Sequence, residues 1–172
     1  MAHDTHHHHK ESFFTKYIFS QDHKMIGKQY LLTAIFMGAI GITLSALFRM
    51  KLGWPDTQFS ILESILGSDA APDGMLDSNW YLGLVTLHGT IMVFFVLTGG
   101  LSGTFSNLLI PLQVGARDMA SGLMNMIAYW LFFLSSVLMA ASLFIETGPA
   151  MAGWTVYPPL SVLEEFQPGS GL

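Results

Sequence analysis

Three long stretches without Asp, Glu, Lys or Arg constrain the fold of this chain more than any other feature. They comprise residues 29–48, 80–105 and 119–145 of a chain of 172 residues. A helix rises about 1.5 Å per residue, so about 20 residues cross the roughly 30 Å hydrocarbon core of a membrane. Each stretch reaches that length. The sequence therefore predicts an all-α membrane protein with three transmembrane helices.

Composition supports this class and excludes several others. Hydrophobic residues make up 51% of the chain and charged residues only 11%, which excludes a disordered protein and disfavours a water-soluble domain. Cysteine is absent, so the chain itself offers no disulfide, thiolate metal site or iron–sulfur cluster. We expect membrane lipid among its partners, and no nucleic acid.

The basic residues orient the predicted helices. Four of the seven lie in the polar arm 1–28, and one more, Arg117, lies in the loop 106–118. The positive-inside rule places this arm and this loop on the inner side. It places the loop 49–79 and the segment 146–172 on the outer side. No signal peptide precedes the first apolar stretch.

His88 is the only histidine inside the three apolar stretches. Burying an imidazole is costly unless its nitrogen atoms find partners. Either a hydrogen bond to a neighbouring helix or a metal ion would satisfy it, and imidazole is a common haem ligand. The run His6–His9 could also bind metal, but it lies on a polar terminus and we assign it no function.

Asp118 lies at the predicted inner end of the third helix, with Asn107 and Asn125 nearby along the sequence. A carboxyl group flanked by amides at a membrane boundary suits the entry of ions or protons. The alternative is a carboxylate that the dipole of the third helix stabilises. The sequence alone leaves both interpretations open.

Five motifs resemble, in order and spacing, those of subunit I of the haem–copper terminal oxidases. The resemblance covers about residues 17–162 and implies the N-terminal third of a subunit with about twelve spanning helices. The motifs are SQDHKMIG at 20–27, LFRM at 47–50, LHG at 87–89 followed by Met92 and Phe94, NLLIPLQVGARDMA at 107–120, and WTVYPPL at 154–160.

The resemblance implies a role for each matching residue around a haem. His88 matches an axial ligand of the low-spin haem iron, which is most often a haem of type a. Arg49 matches an arginine that hydrogen-bonds a polar substituent of that haem. Tyr81 and Trp154 match residues near the haem propionates.

The resemblance also implies a route for proton uptake. Asp118 matches the carboxylate at the mouth of that route, and Asn107 and Asn125 match the amides above it. His23 matches a residue of the polar arm, and we interpret it as structural. The family usually continues Met-Ala-Phe-Pro after the aspartate. This chain has Ser121 and Gly122 instead, so we expect the mouth to differ in shape or rate.

The implied activity is that of a proton-pumping cytochrome c oxidase of an energy-transducing membrane, most often a bacterial inner membrane. Electrons pass from cytochrome c through the low-spin haem to a haem–copper centre that reduces O2 to water. The ligands of the high-spin haem and of copper are not on this chain. We therefore expect the chain to be a fragment or one piece of a split subunit, which acts with the remainder of subunit I and other oxidase subunits.

Other residues bear on the electron donor and on rival functions. Related quinol oxidases have polar or charged residues where this chain has Ile40, Leu44, Trp80 and Gly83, which favours cytochrome c as donor. Lys51 replaces a glutamate that contributes to a peripheral cation site in many members, which argues against that site. The alternatives are a quinol oxidase, a haem-binding electron carrier without oxygen chemistry, and a helical scaffold subunit.

Overall fold

The computed structural model describes residues 12–145 and 148–163, and these residues form helices and loops without a β-strand. The run His6–His9 lies outside the described residues. Four helices follow one another, and single helical turns at Phe14–Ile18 and Pro72–Gly74 accompany them. The helices are α1 (His23–Gly53), α2 (Ser60–Leu66), α3 (Ser78–Val114) and α4 (Gly122–Phe144).

Three of these helices, α1, α3 and α4, are long and apolar enough to cross a membrane. This confirms the prediction of an all-α membrane protein with three spanning helices. Helix α1 is longer at both ends than the predicted span 29–48. The helix continues through the charged residues on either side of the uncharged stretch. It can do so because long basic side chains extend from a helix toward water.

Helix α3 also exceeds its predicted span of 80–105. Asp77 caps its start by accepting hydrogen bonds from the backbone N–H groups of Asn79 (2.8 Å) and Trp80 (3.4 Å). Gly115 ends it in the left-handed conformation with φ +69°, which glycine adopts without steric cost. Most of the predicted inner loop 106–118 is therefore helical.

The centre of α3, Ile91–Ser102, has π-helical hydrogen bonding. Three glycines in and just after it face neighbouring helices at close range. A Cβ atom on Gly99 would lie 2.3 Å from the Phe132 ring of α4, and one on Gly100 would lie 2.2 Å from Cβ of Ala34 in α1. Glycine at these positions lets three backbones approach closely, as is typical of helix packing in membranes.

Helix α1 is the central element of the packing. It lies antiparallel to α3 along its length, and α4 contacts both α1 and α3. We name two ends of this unit: the Asp118 end, where α1 and α4 begin and α3 ends, and the Arg49 end, where α1 ends and α3 begins. The core beside α3 is apolar and consists mainly of Met37, Leu44, Leu47, Leu84, Leu87, Ile91 and Phe95. Many large apolar side chains of α4 are exposed, such as Leu131 and Leu134.

Candidate functional site

His88 lies at the contact between α3 and α1, where its ring is held by a backbone group. Its Nδ1 atom is 2.8 Å from the carbonyl oxygen of Gly41. A carbonyl oxygen only accepts, so Nδ1 carries the proton and donates. In the neutral ring Nε2 then holds the free electron pair, and it has no protein partner among the described residues. The imidazole is therefore fixed in the tautomer that ligates a metal through Nε2.

Gly41 has no side chain, so α1 and α3 pack closely where this contact is made. A Cβ atom there would lie 2.9 Å from Sδ of Met92 and 3.3 Å from Cγ2 of Ile91. Sequence reasoning missed Gly41, although glycines in spanning helices are a known signal of close helix contact. A glycine in a spanning helix does not indicate which carbonyl group will lie beside the histidine.

Phe48 of α1 joins His88 to Tyr81. Its ring centroid is 5.6 Å from that of His88 and 6.0 Å from that of Tyr81, both in edge-to-face geometry. We call Gly41, Phe48, Tyr81 and His88 the His88 cluster. Arg49 follows Phe48 directly and is exposed at the same end. The structure thus brings Tyr81 and His88 together and places the exposed Arg49 at the same end.

Trp154 approaches α3 beside His88 rather than the imidazole itself. The backbone N–H of Gly153 donates to Oγ1 of Thr86 at 3.0 Å, which fixes this segment on α3. A Cβ atom on Gly89 would lie 3.1 Å from Cδ1 of Trp154, so the indole packs against the residue that follows His88. Its ring is about half exposed and borders a cavity of about 500 Å³ between α3 and α4.

The residues of this end fit a haem. An iron ligand needs an accessible electron pair and a ring of fixed orientation, and His88 has both. The planar, apolar body of a haem is suited to aromatic neighbours such as Phe48 and Tyr81, and its anionic edges to an exposed arginine such as Arg49. His88, Arg49, Tyr81 and Trp154 all lie toward the Arg49 end, and their role around a haem stays a prediction.

Asp118 stabilises the start of α1, not that of α4. Its Oδ1 atom accepts from the backbone N–H of His23 at 3.3 Å and from that of Met119 at 2.7 Å. Helix α4 has its own cap, since Oγ of Ser121 accepts from the N–H of Met124 at 3.4 Å. The sequence left open that the dipole of the third spanning helix stabilises Asp118. The structure instead places Asp118 at the start of α1, because the loop before α4 folds back over that helix.

His23 is buried, with 1% of its surface exposed, although its motif lies in the polar arm. Its Nδ1 atom donates to the carbonyl oxygen of Asn107 at 2.6 Å. That carbonyl lacks its usual helical donor because the residue four positions later is Pro111, which has no N–H. Sequence reasoning missed this contact, and Pro111 inside a helix is the signal that could have indicated a free carbonyl group.

The side chain of Asn107 continues the polar contacts toward α4. Nδ2 of Asn125 donates to Oδ1 of Asn107 at 2.5 Å, and Nδ2 of Asn107 donates to the carbonyl oxygen of Gly103 at 2.8 Å. The structure thus brings together the two amides that the sequence predicted to act with Asp118. We call His23, Asn107, Asp118 and Asn125 the Asp118 cluster.

The Asp118 cluster joins an exposed carboxylate to a buried amide. Asp118 is exposed, whereas Asn107 is buried with 2% of its surface exposed. Ligand atoms of Asp22, His23 and Asp118 lie within 4.8 Å of one another. The His23 imidazole beside these two carboxylates donates to the backbone carbonyl of Asn107, whose side-chain amide pairs with that of Asn125 in an otherwise apolar helix contact.

Comparison with known proteins relates most of this chain to one family. The family described as "Cytochrome C and Quinol oxidase polypeptide I" matches residues 25–171. The chain is 44% identical over 155 residues to "Alternative cytochrome c oxidase subunit 1" of Bradyrhizobium diazoefficiens, covering 90% of this chain and 24% of that protein.

Two further relatives show the range of the family. The chain is 35% identical over 178 residues to "Cytochrome c oxidase subunit 1" of Cereibacter sphaeroides, covering 92% of this chain and 31% of that protein. It is 38% identical over 159 residues to "Probable quinol oxidase subunit 1" of Staphylococcus haemolyticus, covering 92% of this chain and 21% of that protein. The match therefore includes most of this chain and about a fifth to a third of each relative.

Proposed function

Since the chain belongs to the haem–copper oxidase family of subunit I polypeptides, we propose that it forms the low-spin haem and proton-entry part of a proton-pumping, oxygen-reducing terminal oxidase. The family relation makes it part of a membrane-bound oxidoreductase with haem and copper cofactors. The observation that carries the more specific proposal is the hydrogen bond between His88 and Gly41, which leaves Nε2 of the imidazole available to iron.

His88 is the axial ligand of a low-spin haem in this proposal. The haem, which we expect to be of type a, supplies one-electron transfer when it is bound. The carbonyl oxygen of Gly41 fixes the orientation of the imidazole and raises the basicity of Nε2, as hydrogen-bond partners of ligating histidines commonly do. Phe48 restricts the ring from the side of α1.

The other residues of the Arg49 end bind the periphery of the haem in this proposal. Arg49 offers a planar set of N–H donors and a permanent positive charge to a polar haem substituent. Tyr81 is placed beside Phe48, and Trp154 beside Gly89. We propose that their phenol and indole groups contribute to the environment of the propionates.

The Asp118 cluster takes up protons in this proposal. Its support is the hydrogen-bonded sequence from the exposed carboxylate of Asp118, through the start of α1 at His23, to Asn107 and Asn125. Asp118 binds a proton from water and passes it inward, while the amides orient water molecules without being charged themselves. The N-terminus and this cluster then face the inner side of the membrane.

The remaining parts of the reaction come from sequence outside residues 1–172 in this proposal. They include the second axial ligand of the low-spin haem, the high-spin haem and the copper ligands. Four electrons and four protons then convert one O2 molecule to two molecules of water. The partners are the remainder of subunit I, the other oxidase subunits and membrane lipid.

Cytochrome c is the electron donor that we propose. Two positions where related quinol oxidases have polar residues are closed and apolar here. Leu44 is buried, and a Cβ atom on Gly83 would lie 2.8 Å from Pro149. A quinol donor is the second candidate, favoured by the similarity to the Staphylococcus haemolyticus protein.

Oxygen uptake by the purified oxidase that contains this chain tests the proposal. We expect rapid uptake with reduced cytochrome c and slow uptake with a ubiquinol or menaquinol analogue, together with haem of type a in the pyridine haemochrome assay. The reverse donor preference would support the quinol candidate. Haem without oxygen uptake would indicate an electron carrier, and absence of haem would indicate a scaffold subunit.

A further inference from the structure

The backbone at the start of α4 lies in close contact with the segment before α1. A Cβ atom on Gly122 would lie 2.8 Å from the carbonyl oxygen and 3.0 Å from Cβ of Gln21. Gln21 directly precedes Asp22, the N-cap of α1, whose side chain accepts from the N–H of Met25. Only glycine fits at position 122 without moving one helix start away from the other.

The position of Gly122 ties this contact to the Asp118 cluster. Gly122 is the first residue of α4, four residues after Asp118 and three before Asn125. Residues three apart lie on neighbouring positions of a helix surface. A shift of Gly122 away from Gln21 therefore moves Asn125 away from Asn107, whose amide groups are in close hydrogen-bond contact.

Ser121 and Gly122 are also the residues at which the sequence departs from its family pattern. Ser121 caps α4, and Gly122 lets the start of α4 lie close to Gln21. A larger residue at position 122 would need a different distance between the starts of α1 and α4. The glycine at position 122 therefore allows α4 to pack closely against α1 at the Asp118 end.

We infer that Gly122 is a positioning residue for proton uptake: its close contact with Gln21 sets the distance between Asn125 and Asn107. This inference rests on the proposed function of the Asp118 cluster. Gly122 itself neither binds nor transfers a proton. It determines whether the amides of α3 and α4 stay within hydrogen-bond distance.

Gly122→Ala in the complete oxidase tests the inference. The added Cβ atom meets a backbone oxygen, which cannot rotate away as a flexible side chain could, so the start of α4 has to shift. We expect turnover per haem to fall at least threefold, with a larger solvent deuterium isotope effect and a steeper loss of turnover at alkaline pH. The rate of electron transfer into the low-spin haem should stay unchanged. Alanine is a better helix former than glycine, so weaker helix formation cannot explain such a loss.

Gly53→Ala is the matched control, because a Cβ atom there meets nothing within 4 Å. It should leave turnover, isotope effect and pH profile unchanged. The double variant Gln21→Gly, Gly122→Ala removes one of the two close contacts and should recover part of the turnover. All rates are measured per assembled haem, so that a lower yield of Gly122→Ala does not obscure the result.

Asp118→Asn, measured in parallel, separates the two hypotheses. If it slows turnover and Gly122→Ala changes neither turnover nor isotope effect, Gly122 has no positioning role and the inference is wrong. An unchanged isotope effect together with slower haem reduction in Gly122→Ala would contradict it as well, since the defect would then lie at the haem. If Asp118→Asn itself has no effect, the proposed proton route is wrong, and the inference is wrong with it.

Discussion

The Nδ1 atom of His88 donates a hydrogen bond to the backbone carbonyl oxygen of Gly41, at 2.8 Å across the contact between α3 and α1. This one contact determines both the tautomer and the direction of the ring. It is made beside the glycine at position 41, where a Cβ atom would require Sδ of Met92 and Cγ2 of Ile91 to move. The orientation of the proposed iron ligand is thus a property of how closely two helices pack.

Gly41→Ala should therefore disturb the low-spin haem without removing its ligand. The new Cβ atom would lie 2.9 Å from Sδ of Met92, so the flexible Met92 side chain has to move beside His88. We expect a shifted haem absorption band and a changed reduction potential, measured by redox titration. Gly38→Ala, one turn earlier, is the control, because its Cβ atom would meet only Val96 at 3.6 Å. Equal spectra for both variants would contradict the role of the Gly41 contact.

Arg49→Met should leave the haem bound and lower its reduction potential. A nearby positive charge favours the reduced iron, so its removal favours the oxidised form. The lost hydrogen bond should also shift the absorption band. Lys51→Met removes a positive charge two residues later on the same helix and serves as the control. If the two variants behave alike, Arg49 contributes only a general charge at this end.

Asp118→Asn should slow turnover and weaken proton pumping while haem content stays intact. An amide oxygen can still accept the N–H of His23, so the start of α1 keeps its hydrogen bond. The amide cannot bind and release a proton, and groups of this kind commonly contribute on the order of a hundredfold or more to rate. Asp56→Asn, an exposed carboxylate at the Arg49 end, should have no effect on proton release. Normal pumping in Asp118→Asn would reduce the residue to a helix cap.

The three spanning helices could be predicted from the sequence because the requirement behind them is simple: about 20 uncharged residues in a row. Their ends could not, since helices α1 and α3 continue past charged or polar residues at both boundaries. The π-helical centre of α3 was missed as well. Its glycines Gly99 and Gly100 lie against Phe132 and Ala34, and hydropathy does not encode such contacts between helices.

The candidate sites could likewise be predicted from the sequence only in part. His88, Asn107, Asp118 and Asn125 were indicated by their residue types in apolar surroundings or by motif. Gly41 was missed because the group that acts is a backbone carbonyl, which every residue has. The buried position of His23 was missed because it depends on the carbonyl group that Pro111 leaves free, so that two distant parts of the sequence must be considered together.

A polypeptide of residues 1–172 in detergent should bind no stable low-spin haem and consume no oxygen. A six-coordinate haem needs two axial ligands, and the described residues offer one histidine with a free nitrogen at membrane depth. Met92 cannot serve as the second, because it lies one turn from His88 on the same side of α3, with Sδ beside Gly41. An optical spectrum with haem added checks this, and a low-spin band from this polypeptide alone would contradict it.

The optical spectrum of His88→Ala in the complete oxidase tests most directly whether His88 ligates the low-spin haem iron. We expect the low-spin haem band to disappear, because no other imidazole in the described spanning helices presents a free Nε2 at that depth. The high-spin haem, whose ligands lie elsewhere, should remain detectable and serve as the internal control for assembly. A normal low-spin band in His88→Ala, at a normal ratio to the high-spin haem, would show that His88 does not ligate the iron.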